Sequence, residues 1–349
     1  LRKISILIIL GLLSFGLFGN WVSIDRNSEN EMFKTSLSES GLTEVQFSLD
    51  GYEIESIEKN GKTYQRISYA NEGEFIDVGK PDLPRFSRLV AIPNQGEVYI
   101  EVTSFDKEVI SDITIYPRQP LKIDGEINDF PFTIDNDFYS RAEIFPAEIT
   151  EIGEPAIMRD YRVVNVTINP FQYDPQNNEL SIFSNVTLKV HTQGIGGANC
   201  KLDNKLESSV FSSIYKSTII NYEEVRSRGD EFISPTILFI YPSSLNPQTS
   251  WLDSLALWKH KKGFDVVLAS TAETGTSLYN IKNYIQQAYN NWDNRPDFVC
   301  LVGDAEGSFN IPSGYMGGGE GDQEYTRLDG TDILADVWIG RLSFNSVFE

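Results

Sequence analysis

The sequence predicts two domains in series: a β-rich, sandwich-like domain, then an α/β domain built on a parallel sheet and expected to be incomplete at Glu349. Three observations predict this. Short runs of alternating apolar and polar residues recur from about Thr43 to Thr192, separated by turn residues. At Ser234 the texture changes to unbroken apolar runs interleaved with helical stripes, the signature of a sheet covered on both faces. The chain has 349 residues, 40% hydrophobic and 12% aromatic, which is enough to build more than one globular core.

The elements follow in order. Arg2 and Lys3 precede an apolar run from Ile4 to Phe18, so residues 1–20 read as a secretory signal, and the protein is expected to be secreted or held at the cell surface. The run falls short of the ~20 apolar residues a spanning helix needs, with an uncleaved anchor as the alternative. Residues 21–45 are polar and weakly patterned and read as a flexible leader. The β-rich domain is assigned to 46–195, from runs such as Val98-Tyr99-Ile100-Glu101-Val102, Tyr161 to Ile168 and Val186 to Val190. Turns such as Pro93-Asn94-Gln95-Gly96 and Asp174-Pro175-Gln176-Asn177-Asn178 divide them. Glycine, serine and charge mark 196–233 as a linker.

The α/β domain is assigned to 234–349. Thr236 to Tyr241 is a continuous apolar strand. Leu252, Leu255 and Trp258 open a helical stripe that closes on Lys261-Lys262-Gly263. Phe264 to Ala269 is a second strand. Leu278, Ile281, Ile285 and Ala288 share one helical face. Phe298 to Val302 is a third strand, ending in Gly303-Asp304.

A formal net charge of −21 excludes nucleic acid as a natural partner and disfavours an anionic membrane surface. Two cysteines, Cys200 and Cys300, form no disulfide framework, and Cys300 within Phe298–Val302 reads as a buried structural thiol. The two histidines, His191 and His260, lack a neighbouring nucleophile, and neither a Gly-x-Ser-x-Gly elbow nor a Walker loop occurs.

Carboxylates crowd the end of the chain: Asp304, Asp322, Asp329, Asp332 and Asp336. Ligands bind open α/β sheets beyond the carboxyl ends of the strands. A hard cation takes six to eight oxygen ligands, so a structural calcium site centred on Asp332 and Asp336, with Asp304 and Asp322, is one reading. Solvated loop acids in an acidic protein are the other. A metal-dependent phosphoryl-transfer protein using Asp304 is a further alternative.

Two regions also resemble the gingipain family of secreted bacterial cysteine peptidases. The first holds Gly79-Lys80-Pro81-Asp82-Leu83-Pro84, Tyr116-Pro117-Arg118-Gln119-Pro120, Arg159-Asp160-Tyr161-Arg162 and Asn169-Pro170-Phe171-Gln172-Tyr173-Asp174-Pro175. The second holds Trp258-Lys259, Leu301-Val302-Gly303-Asp304, Asp322-Gln323 with Tyr325, Gly330-Thr331-Asp332 and Ile339-Gly340-Arg341. The resemblance implies a zymogen: a β-rich propeptide bound to its own caspase-like peptidase domain, secreted by bacterial machinery and acting on protein or peptide substrates. It implies a catalytic His–Cys pair beyond the Ile-Gly-Arg element, which falls on no residue here, so the chain alone is expected to be inactive. It strengthens calcium at Asp332 and Asp336. It makes Arg226 and Arg228 candidate processing positions, against an ordinary charged linker. A non-catalytic surface or binding protein that kept the fold is the competing expectation.

Overall fold

The computed structural model describes residues 19–24, 31–37, 42–125, 130–202, 205–226, 234–246, 250–316 and 318–346. The first half is β-rich throughout. Strand Glu179–Gln193 pairs antiparallel with Glu97–Ile110 on one side and Thr43–Ser48 on the other. A second sheet joins Ala156–Met158, Tyr161–Ile168 and Pro84–Ala91. Alternation drives the packing: Val45 and Phe47 of one sheet, with Leu188 and Val190, meet Phe86, Val90, Val164 and Val166 of the other in one core. The sandwich reading of this half holds.

Tyr161–Ile168 is buried on both faces, unlike its neighbours. Its second face is covered by the short helices Ser212–Thr218 and Tyr222–Val225, whose Phe211, Tyr215, Ile219 and Tyr222 pack on Ala91 and Val163. The described part of 196–233 is therefore a folded flap, and not the linker its composition suggests. Each such side chain contributes about 1.5–3 kcal/mol on full burial, enough to fix the segment. Ser227–Ile233, with Arg228, lie outside the described residues.

The stretch expected to be a flexible leader also contributes structure. Asn20–Ser23 pairs with Gly51–Lys59, and Phe33–Leu37 pairs with Thr43–Ser48. Aromatic anchors account for this: Phe33 sits 5.2 Å from Phe47, and Trp21 5.8 Å from Tyr69. The expected signal falls almost wholly on residues 1–18, outside the described residues. Among the described residues, no helix is long and apolar enough to cross a membrane.

The second half is a four-stranded parallel sheet in the order Asp265–Ser270, Thr236–Tyr241, Phe298–Val302, Trp338–Leu342. Helix Leu278–Asn291, capped by Ser277, buries Ile281, Ile285, Ala288 and Tyr289 against Leu238, Ile240, Val299 and Leu301 on one face. Leu252 and Leu255 of helix Ser250–Lys261 cover Ile237 and Phe239 on the other. Both cysteines are free thiols. Burial pushes the Cys300 thiol up to about 11, against a smaller opposing pull from Lys259. Alkylation of Cys300 at pH 8 is therefore expected to be at least tenfold slower in the native chain than after unfolding, read by peptide mass mapping.

Candidate functional site

The carboxyl edge of the sheet is closed by its own side chains. Gly303 ends its strand at φ +134°, where an added Cβ would lie 2.3 Å from the Phe309 carbonyl, so only glycine fits. Asp304 accepts from the Ala305 N–H at 2.8 Å, the Ser343 hydroxyl at 2.9 Å and the Asn345 amide at 2.7 Å. Those donors, the Ala305 N–H first, hold its carboxyl below the usual range. Asp322 receives both arms of the Arg341 guanidinium, at 3.0 and 2.6 Å, while Arg341 also donates to the carbonyls of Gly303 and Ile311 at 3.1 and 2.7 Å. Asp304 and Asp322 thus staple strand ends. Replacing Arg341 by alanine is expected to cost about 2 kcal/mol of stability through the carboxylate and carbonyls left behind, read by urea unfolding.

Asp332 and Asp336 are spent differently. Asp336 is fully buried and accepts from the N–H groups of Leu328 and Asp329, both at 2.8 Å, and of Arg159 at 3.3 Å. Burial pushes its carboxyl up to about 7, against the pull of the Leu328 and Asp329 N–H groups and with a push from Asp329 and Asp332. Asp332 accepts from the Leu334 N–H at 2.9 Å and the Ile157 N–H at 2.8 Å. Among the described residues, no group of three or more His, Cys, Asp or Glu side chains could hold a metal. The four aspartates expected as calcium ligands are not brought into one donor set, and their oxygens are committed to N–H, hydroxyl and guanidinium donors. They do not fit a cation that needs six to eight oxygens.

The loop instead grips the β-rich half. Ile157 and Arg159 belong to that half, and Asp332 and Asp336 receive their N–H groups. Thr331 donates its N–H, at 2.8 Å, and its hydroxyl, at 3.1 Å, to Asn199. Lys201 meets Asp329 at 3.3 Å. Lys205 donates to the carbonyls of Tyr289 and Asn290 at 2.8 and 2.7 Å.

At the centre of this contact stands Arg159, fully buried in a left-handed turn at φ +50°. Its Nη1 donates to the Pro296 carbonyl at 2.8 Å and the Asp336 carbonyl at 2.6 Å, and its Nη2 to Asp297 Oδ1 at 3.0 Å. Asp297 is itself fully buried and accepts from the Thr236 N–H at 2.9 Å and from the Ser208 hydroxyl. Burial raises the Asp297 carboxyl, and Arg159 is the strongest group pulling it back. The adjacent residue repeats the contact with reversed sign: Asp160 pairs with the buried Arg295 and accepts from the Tyr215 hydroxyl at 2.7 Å. Two neighbouring opposite charges on one half thus meet two on the other. Asp297 and Asp336 precede the Phe298–Val302 and Trp338–Leu342 strands, so the contact sits on the amino edge of the sheet.

This crossing was not legible as a site. Arg159-Asp160 stood out only within the family resemblance, and nothing in spacing links them to Asp297 and Arg295, more than a hundred residues away. His191 stacks on Tyr99 at 4.7 Å and meets Glu101 at 3.1 Å, and His260 faces the Phe264 carbonyl at 3.3 Å, so neither joins the contact. Arg226 is exposed and pairs with Glu223 at 3.0 Å.

Two family models match the chain. Residues 23–228 match the family Propeptide_C25, and residues 231–349 match Peptidase family C25. Lys-gingipain of Porphyromonas gingivalis is 27% identical over 366 residues, covering 99% of this chain and 20% of the relative. Gingipain R2 of the same organism is 26% identical over 349 residues, covering 99% of this chain and 46% of the relative. The chain thus spans between a fifth and under half of these relatives' length. A solved complex of the P. gingivalis RgpB pro- and mature domains is similar at a TM-score of 0.51 and 25% identity, covering 56% of this chain and 99% of that one.

Proposed function

Because the chain belongs to peptidase family C25, its β-rich half a propeptide and its α/β half the start of a peptidase domain, we propose that it is the latency-bearing part of a secreted cysteine endopeptidase zymogen. The observation that carries this reading is the buried crossing of Arg159–Asp297 and Asp160–Arg295, which seats the propeptide on the peptidase sheet. Buried charges paired across an interface make separation of the halves costly and the register specific.

In the whole protein a His–Cys pair attacks the peptide carbonyl: the thiolate adds, the amine leaves with a proton from the imidazolium, and water releases the acyl enzyme. None of the residues described here supplies that pair. Their part is to fold the parallel sheet and to hold the propeptide. Protein and peptide substrates are taken by the whole protein, after the basic, apolar leader Arg2–Phe18 has directed it to the secretion machinery. Trimming falls at Arg226 or Arg228, after the propeptide residues that grip the peptidase half.

Peptidolysis by the whole protein tests this reading. Iodoacetamide-sensitive cleavage that rises as the propeptide is removed is the expected result, with residues 1–349 alone showing none. Cleavage insensitive to thiol reagents, or none after the propeptide is gone, contradicts it and favours the non-catalytic binding protein.

A further inference from the structure

We propose that the peptidase half carries a guanidinium-recognition site at the amino edge of its sheet, filled in this chain by Arg159 and open to a small alkylguanidinium or an arginyl peptide when that side chain is absent. The inference rests on the reading of the two halves as propeptide and peptidase, and adds a ligand class to their contact.

The site is built from the peptidase side. Two backbone carbonyls, of Pro296 and Asp336, converge on one terminal nitrogen of the guanidinium, and the Asp297 carboxylate takes the other. On the peptidase side the Thr236 N–H holds the carboxylate in place, and the Ser208 hydroxyl of the propeptide adds a second donor in the assembled chain. The ring of Tyr289 lies 5.5 Å from the guanidinium carbon, with Phe211 of the propeptide 4.8 Å away. This is a forked arrangement of acceptors: two carbonyls for one terminal nitrogen, a carboxylate for the other, and aromatic neighbours. An ammonium ion presents a point charge and cannot reproduce the fork.

The stem of Arg159 adds little polar recognition. Its Nε is buried without a hydrogen-bond partner and stands 4.0 Å from the Asp160 carboxylate. Recognition therefore resides in the terminal nitrogens, and a ligand as small as methylguanidinium carries the needed groups. On the peptidase side, withdrawal of Arg159 leaves the Asp297 carboxylate and two carbonyls facing a cavity of that shape. Leaving such groups unpaired is costly, which is the driving force for capture of another guanidinium.

Chemical rescue in the intact chain tests the proposal. Arg159→Ala is melted with and without about ten dissociation constants of methylguanidinium, at millimolar concentrations too low to denature. The expected result is a rise in melting temperature of about 2–4 °C, absent in the unsubstituted chain. Methylammonium at equal ionic strength is expected to give no rise, and Arg159→Ala/Asp297→Asn is expected to lose the response. If Arg159→Ala does not fold alone, soluble recovery on refolding with and without methylguanidinium is the readout, with at least a twofold gain expected. A destabilised variant that methylguanidinium does not rescue, or that methylammonium rescues equally, overturns the guanidinium site while leaving the propeptide contact standing. A variant as stable as the unsubstituted chain overturns both.

Discussion

Replacing Arg159 by methionine is expected to destabilise the chain by about 3–5 kcal/mol, the range for removing one partner of a buried ion pair. The loss follows from what stays behind. Asp297 is fully buried, and its strongest favourable charge comes from Arg159. The Pro296 and Asp336 carbonyls lose a donor at the same time. A methionine fills part of the volume between Phe211 and Tyr289 but offers no N–H. Pairing the substitution with Asp297→Leu is expected to recover more than half of the loss, because it also removes the stranded carboxylate. Urea unfolding of the two single variants and the double variant reads the cycle. Strictly additive losses would mean that the two side chains do not act as a pair.

The second large effect is on pH dependence. The Asp336 carboxyl is pushed up to about 7 by burial, from an ordinary value of 3.8. A raised folded-state pKa means that the folded chain keeps a proton the unfolded chain has released. Its contribution is full below the unfolded value and is lost as pH rises through the folded one. Stability is therefore expected to fall by up to about 1.4 kcal/mol per pH unit between pH 4 and 7 and to level off above. Other groups titrate over the same range, so the comparison is with Asp336→Asn, which cannot ionise. The unfolding free energy of the unsubstituted chain minus that of the variant should fall across that window and stay flat beyond it. A difference independent of pH would show that the three N–H donors keep Asp336 ionised throughout.

What the sequence disclosed, and what it hid, follows from range. Period-two runs such as Val98–Val102 and unbroken strands such as Thr236–Tyr241 report local burial, so the two architectures and their order were readable. The flap was not: Phe211, Tyr215 and Ile219 recur four residues apart, but over only two turns, between the glycine- and charge-rich stretches on either side that set the reading of a linker. Trp21 and Phe33 were overlooked in the leader for the same reason, as single aromatic anchors in polar surroundings. Asp332 and Asp336 were legible as a loop with a task. Their partners were not, because carboxylate spacing fits a cation or backbone N–H groups equally well, and the donors Ile157 and Arg159 lie in the other half. Arg159-Asp160 presents the same limit, since two adjacent opposite charges give no local sign of the pair they meet.

The contacts that hold the propeptide on the amino edge of the peptidase sheet are expected to need no covalent connection between the halves. The most direct measurement is size-exclusion chromatography of the intact chain after a cut within 227–233, at a site-specific protease sequence inserted there. Every propeptide residue named in the contact precedes that segment, so the two pieces are expected to co-elute at the mass of the uncut chain. Arg159→Met is expected to let them separate. Separation of the unsubstituted pieces at micromolar concentration would contradict the account.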